Sequence, residues 1–141
     1  HRQRTAQTTA SAMKSSQSLL WGALLGLTAV ALGAFGAHAL RDVLAASGRT
    51  DTFELAVRYQ FYHALALLMN GLFQRQITTP QTRSWSAFFF VCGVLLFSGS
   101  LYLLALTNIR AMAWLTPVGG VALLTGWVFF IRDIIRLRNN A

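Results

Sequence analysis

The sequence predicts an all-α integral membrane protein, with four transmembrane helices in an antiparallel bundle. Three observations point there. Lys, Arg, Asp and Glu are absent from 15–40, 59–74, 84–109 and 111–131, gaps of 26, 16, 26 and 21 residues. Apolar residues make up 55% of the chain and charged residues only 11%, whereas a soluble domain carries roughly 25% charge. A single domain of 141 residues also has too little interior to hide four such runs and still offer water a polar surface. A hydrocarbon core of roughly 30 Å takes about 20 helical residues. In that medium a helix satisfies every backbone N–H and C=O without water.

The elements follow in chain order. Residues 1–18 form a polar basic leader or tail, rich in Arg, Gln, Ser and Thr and free of acid. Its composition fits the remainder of a mitochondrial transit peptide, or an upstream leader with Met13 as the native start. The four-helix domain occupies 19–141. The first span covers about 19–40. Residues 41–46 stay helix-compatible, and Gly48 is a fitting stop. Asp51 with Glu54 three residues later has the form of a capping box, so the second helix is expected to start near Thr52 and to span about 53–73. Arg58 would snorkel to the headgroups. Residues 74–83 hold Pro80 and read as a polar loop. The third span covers about 85–106, and 107–110 is a tight turn. The fourth span covers about 114–135, with two possible starts. Thr116-Pro117 fits N-cap and N1, leaving 111–115 as a short interfacial turn anchored by Trp114. Alternatively the helix starts near Ala111 and Pro117 kinks it.

Charge sets the topology. Four spans put the N-terminus, the second loop and the C-terminus on one side, with Arg2, Arg4, Lys14, Arg75, Arg83, Arg132, Arg136 and Arg138. The other side holds Arg41, Arg49, Arg58 and Arg110. The positive-inside rule then puts both termini in the cytoplasm or matrix. The net charge of +8 suits anionic lipid headgroups better than nucleic acid, because no basic patch is interleaved with exposed aromatics. Membrane lipids and other membrane protein subunits, or self-association, are the expected partners.

Within the spans, Gly22, Gly26, Ala29, Gly33 and Gly36 form a helix-packing seam. Small residues at this spacing let two backbones approach. Ala31, Ala34 and His38 line a nearly opposite stripe, so the first helix is expected to be central. Ala122 and Gly126, and Gly93 with Ser100, are weaker seams. Polar residues inside a span generally face protein. His38, Tyr59, Gln60, His63 and Asn70 are therefore a candidate buried cluster, with Ser98, Ser100 and Tyr102 nearby in the third span. The depths of His38 and His63 differ by only ~5 Å on the loop-1 side. Two histidines at one level raise bis-histidine haem and a proton pathway. Neither has further support: His38 lies off the seam and no motif holds a porphyrin. The expected reading is interhelical hydrogen bonding, with both histidines buried and structural. No catalytic residue, metal site or cofactor is expected. Cys92 alone makes no internal disulfide and reads as a small core residue.

Four blocks carry a family resemblance. They are Gly33-Ala34-Phe35-Gly36-Ala37-His38-Ala39-Leu40, Tyr59-Gln60-Phe61-Tyr62-His63-Ala64-Leu65-Ala66, Leu96-Phe97-Ser98-Gly99-Ser100-Leu101-Tyr102, and Thr116-Pro117-Val118-Gly119-Gly120 followed by Gly126-Trp127. Their order resembles the small membrane family that contains bacterial YgdD and the eukaryotic transmembrane protein 256, over about 19–131. The resemblance implies four helices and a bacterial or mitochondrial inner membrane. It implies no established activity. The expected function is a non-catalytic inner-membrane protein, a structural or accessory subunit of a membrane complex. The alternative is a small carrier or proton-conducting protein that uses the His/Tyr/Gln cluster.

Overall fold

Helices account for nearly all regular structure in the computed structural model, which describes residues 13–76 and 84–140. The leader reading of 1–12 and most of the Pro80 loop lie outside the described residues. In chain order the helices are α1 (Ser15–Ala37), α2 (Arg41–Ser47), α3 (Thr50–Gln76), α4 (Trp85–Thr107) and α5 (Leu115–Asn139), with a 3-10 turn at Arg110–Trp114 before α5. By length and composition, α1, α4 and the stretch from the 3-10 turn through α5 are apolar enough to cross a membrane. At 27 residues α3 is longer than α1 and α4, but Gln60, His63 and Asn70 interrupt its apolar run.

Residues 13–18, assigned to the tail from sequence, belong to the fold. Met13 packs on the main core, and its carbonyl accepts from Ser84 N–H at 3.3 Å. The Gln17 side chain accepts from Lys14 N–H at 3.0 Å and starts α1. Ser18 is fully buried, donating to Leu67 O across the α1–α3 contact at 2.7 Å.

The first helix does not continue through 41–46. It stops at Ala37, and residues 38–40 turn the chain, with Leu40 N–H reaching back to Phe35 O at 2.9 Å. The separate α2 then lies across this end of the bundle. Leu44 buries itself there against Phe53 and Ala105. A straight continuation would have carried Leu44 clear of the bundle, and burying a leucine contributes about 1.5–3 kcal/mol. Gly48 ends α2 at φ 68, in the left-handed region.

The capping-box expectation is displaced by two residues. Helix α3 begins at Thr50, and Phe53 N–H bonds to Arg49 O at 3.0 Å. Asp51 therefore sits inside the first turn, where its charge favours the positive end of the helix. Ser84 caps α4 by accepting from Ala87 N–H at 3.0 Å, and Asn108 closes it at φ 56. Pro117 falls in the first turn of α5, where a missing N–H breaks no intrahelical bond.

Packing corrects the expectation that the first helix is central. It flanks α3, while α3 lies between α1 and α4 and α5 packs on α4. The polar groups of α3 explain its place, because they need partners on both sides. The seam of α1 faces α3 in antiparallel register. Gly22 lies beside Ala64 and Leu68, Gly26 beside Ala64, Gly33 beside Val57, and Gly36 against the Phe53 ring. Ala29, 1% exposed, completes the row. The opposite stripe of Ala31, Ala34 and His38 is exposed.

The α4–α5 contact is closer still. A Cβ at Gly119 would overlap the backbone of Phe97 and Leu96, and one at Gly93 would meet Leu123. Gly126 receives the Phe90 ring, which also contacts Trp127 edge-on at 5.0 Å between centroids.

Candidate functional site

Three polar centres sit along α3, one above another, and they do not merge into one site. The first is Gln60. Its amide donates to Leu25 O at 3.0 Å and to Thr28 Oγ1 at 2.7 Å on α1, while its carbonyl oxygen accepts from Tyr102 Oη on α4 at 2.7 Å. One side chain thus ties three helices. Nearby, Ser98 Oγ donates to Ala56 O at 2.8 Å.

The second centre is His63. A carbonyl only accepts and an indole N–H only donates, so the two contacts of the ring assign its tautomer. Nδ1–H donates to Tyr59 O at 2.7 Å, and Nε2 accepts from Trp127 Nε1–H at 3.1 Å. Both nitrogens of the neutral ring are engaged. The ring is packed edge-on to Trp127 and lies against Phe90 at 5.5 Å. Tyr59 stacks on Phe97 at 4.7 Å.

The third centre lies at the opposite end of the bundle from α2. Asn70 donates to Ser86 Oγ and accepts from Gln74, each at 2.6 Å. Ser84 and Ser86 share a further hydroxyl contact at 2.6 Å. Gln74 keeps one buried amide oxygen, Oε1, with no hydrogen-bond partner.

Of the five residues singled out from sequence, Gln60, His63 and Asn70 are buried and Tyr59 is half-buried. His38 is exposed, which corrects the expected burial. Nor does it share a level with His63. Gly36 lies against Phe53, and Phe53 precedes His63 by ten residues, or ~15 Å along α3. The depth argument failed because α1 ends at Ala37 and its register on α3 sets His38 near the α2 end. The two rings cannot clasp one haem. Among the described residues no hydrogen bond joins the three centres, and no group of His, Cys, Asp and Glu could hold a metal ion.

Several partners were missed from sequence: Ser84, Ser86 and Gln74 around Asn70, and Trp127 and Thr28 at the other two centres. Trp127 had a signal, since an indole N–H within an apolar helix usually finds an acceptor. Thr28 had a weaker one, as a hydroxyl in a span can satisfy itself on its own helix, and here it also donates to Leu24 O at 2.9 Å.

Beside the second centre, α3, α4 and α5 leave a groove of about 710 Å³. Tyr59, Tyr62, Phe97, Val121, Leu124 and Trp127 line it, and His63 forms part of its floor. A smaller recess of about 190 Å³ lies between α1, α2 and α3 near Glu54 and Arg58.

Comparison with known proteins gives a consistent result. Residues 32–120 match the family described as "Protein of unknown function (DUF423)". The UPF0382 inner membrane protein YgdD of Escherichia coli is 42% identical over 129 residues, covering 91% of this chain and 96% of that protein. A UPF0382 membrane protein of Staphylococcus epidermidis is 42% identical over 113 residues, covering 80% of this chain and 90% of its own. A Staphylococcus aureus relative, UPF0382 membrane protein SAB0533, is 40% identical over the same length. No solved structure matches.

Proposed function

This chain belongs to the DUF423 family, and from that membership we propose that it is a non-catalytic inner-membrane protein with four spans, serving as an accessory subunit of a membrane protein complex. The inner membrane is carried over from the name of the Escherichia coli relative. The fourth span is α3. Its 27 residues reach about 40 Å, and its polar groups are turned onto α1, α4 and α5. Shielded in this way, it crosses the bilayer where an isolated helix of its composition would not.

One observation carries the subunit role. Helix α1 has small residues on two sides, and only one side is used. Gly22 and Ala29 are buried on α3, while Ala31 and Ala34 face outward beside Phe35, itself 58% exposed. A small-residue face gains nothing against lipid tails but lets another helix approach closely. The carrier or proton-conducting reading has less support. His63 has no free nitrogen, Gln60 and Asn70 are bonded on both sides of their amides, and His38 stands apart.

The test is purification of the tagged full chain from its native membrane in mild detergent, followed by mass spectrometry and cross-linking. A stoichiometric membrane protein cross-linked at α1, and lost in Ala34→Leu, is the expected result. A monomer with no cross-linked partner would refute the subunit role.

A further inference from the structure

We propose that the α3–α4–α5 groove seats one acyl chain of an anionic phospholipid, drawn from the leaflet on the α2 side, with the headgroup phosphate held at Arg110. The proposal rests on the four-span reading above.

The groove has the dimensions of one leaflet. Along α5 it runs from Pro117 to Trp127, ten residues or ~15 Å. That is half of a hydrocarbon core of roughly 30 Å. On α3 it runs from Tyr59 to His63, and His63 is the middle residue of Thr50–Gln76. The groove therefore starts near the interface on the α2 side and ends near the midplane, on the His63–Trp127 pair. A single acyl chain of that leaflet covers this path. A partner's transmembrane helix would need about twice the length.

The lining fits a hydrocarbon tail. It is aromatic and aliphatic, and its one imidazole is fully hydrogen-bonded. The groove of about 710 Å³ is within the 300–1,000 Å³ typical of small-molecule sites. Gly120 also lines it, with only the edge of the Phe97 ring within 4 Å of an added Cβ.

Charge in the 3-10 turn that precedes the Pro117 end of the groove favours an anionic headgroup. Arg110 opens the 3-10 turn that leads into Pro117 and is exposed. The only ion pair among the described residues is Arg132–Asp133, so Arg110 is uncommitted. Arg58 lies one turn from Tyr62 on α3, but it lines the smaller recess toward α1 and α2, so Arg110 is assigned as the phosphate contact. Trp114, 83% exposed beside it, suits the headgroup boundary.

The test titrates phosphatidylglycerol and phosphatidylcholine onto the delipidated full chain in detergent, read by native mass spectrometry. One phosphatidylglycerol should bind in preference to phosphatidylcholine. Val121→Trp and Gly120→Phe fill the groove and should each weaken binding at least tenfold, whereas Val128→Trp, outside the groove, should not. Arg110→Gln should abolish the preference for phosphatidylglycerol and keep the tail contact. Equal binding by all variants, or no discrete stoichiometry, would overturn the site. An unchanged preference in Arg110→Gln would overturn the headgroup contact. Span number is read separately, by thiol labelling of Ser47→Cys and Asn140→Cys, so its failure is not confused with loss of lipid.

Discussion

Gly119→Ala and Gly99→Ala add the same methyl group to a helix and should move stability in opposite directions. At Gly119 the new Cβ would overlap Phe97 N and Cα and the Leu96 carbonyl carbon, all backbone atoms. A backbone cannot rotate away as a side chain does, so α4 and α5 must separate. Overpacking of this kind is destabilising by about 1–3 kcal/mol, and the rigid neighbour puts Gly119 at the upper end. The gain in helix propensity offsets about 1 kcal/mol, leaving a net loss of ~2 kcal/mol. At Gly99 nothing lies within 4 Å, so only the propensity gain of up to ~1 kcal/mol remains. The two variants should therefore differ by ~3 kcal/mol. Unfolding by SDS in mixed micelles, followed by tryptophan fluorescence, reads the difference directly. If Gly119→Ala matches the wild type, or Gly99→Ala is lowered as far, then close backbone approach does not hold α4 on α5.

Other perturbations test separate contacts. Tyr102→Phe removes the only donor to Gln60 Oε1 among the described residues and should lower stability in the same titration by about 1 kcal/mol. His63→Gln should fold with a loss on the order of 1 kcal/mol and a changed Trp127 emission; a Soret band in native wild-type protein that His63→Gln abolishes would instead make His63 a haem ligand. Leu44→Ala empties the contact with Phe53 and Ala105 and should destabilise by about 2–5 kcal/mol, with proteolysis between α2 and α3 as its first sign. An impermeant thiol reagent should reach Ser47→Cys and Asn140→Cys from opposite sides of the membrane; labelling of both from one side would remove α3 from the spans.

Much of the helical skeleton was legible because charge-free gaps are visible without knowing any contact. The seam of α1 was legible for a similar reason, since glycine spacing along one helix is local information. What it faces was not. The sequence does not say that Gly36 meets Phe53, and without that register the two histidines were set at one depth. The end of α1 was misread because 38–46 has acceptable helix propensity throughout, and only the burial of Leu44 selects the turn. Gly119 was read as part of a family block and not as a seam, because one glycine has no spacing to reveal it. The polar residues of α3 were legible as interior groups, but their division into three centres depends on partners from three other helices.

The hydrogen bonds of α3 also bear on how the chain is made. During synthesis α1 emerges first and contains little that resists partition into lipid. Helix α3 follows with Gln60, His63 and Asn70, and is a poor substrate for a translocon that weighs each segment alone. Two acceptors it needs are already present on α1: the Leu25 carbonyl and Thr28, both bonded by Gln60. Ser18 in turn reaches Leu67 O. A nascent α1–α3 hairpin can satisfy these groups before α4 exists. In the four-span proposal the two leave the protein-conducting channel as a pair, and α1 serves as the chaperone of α3.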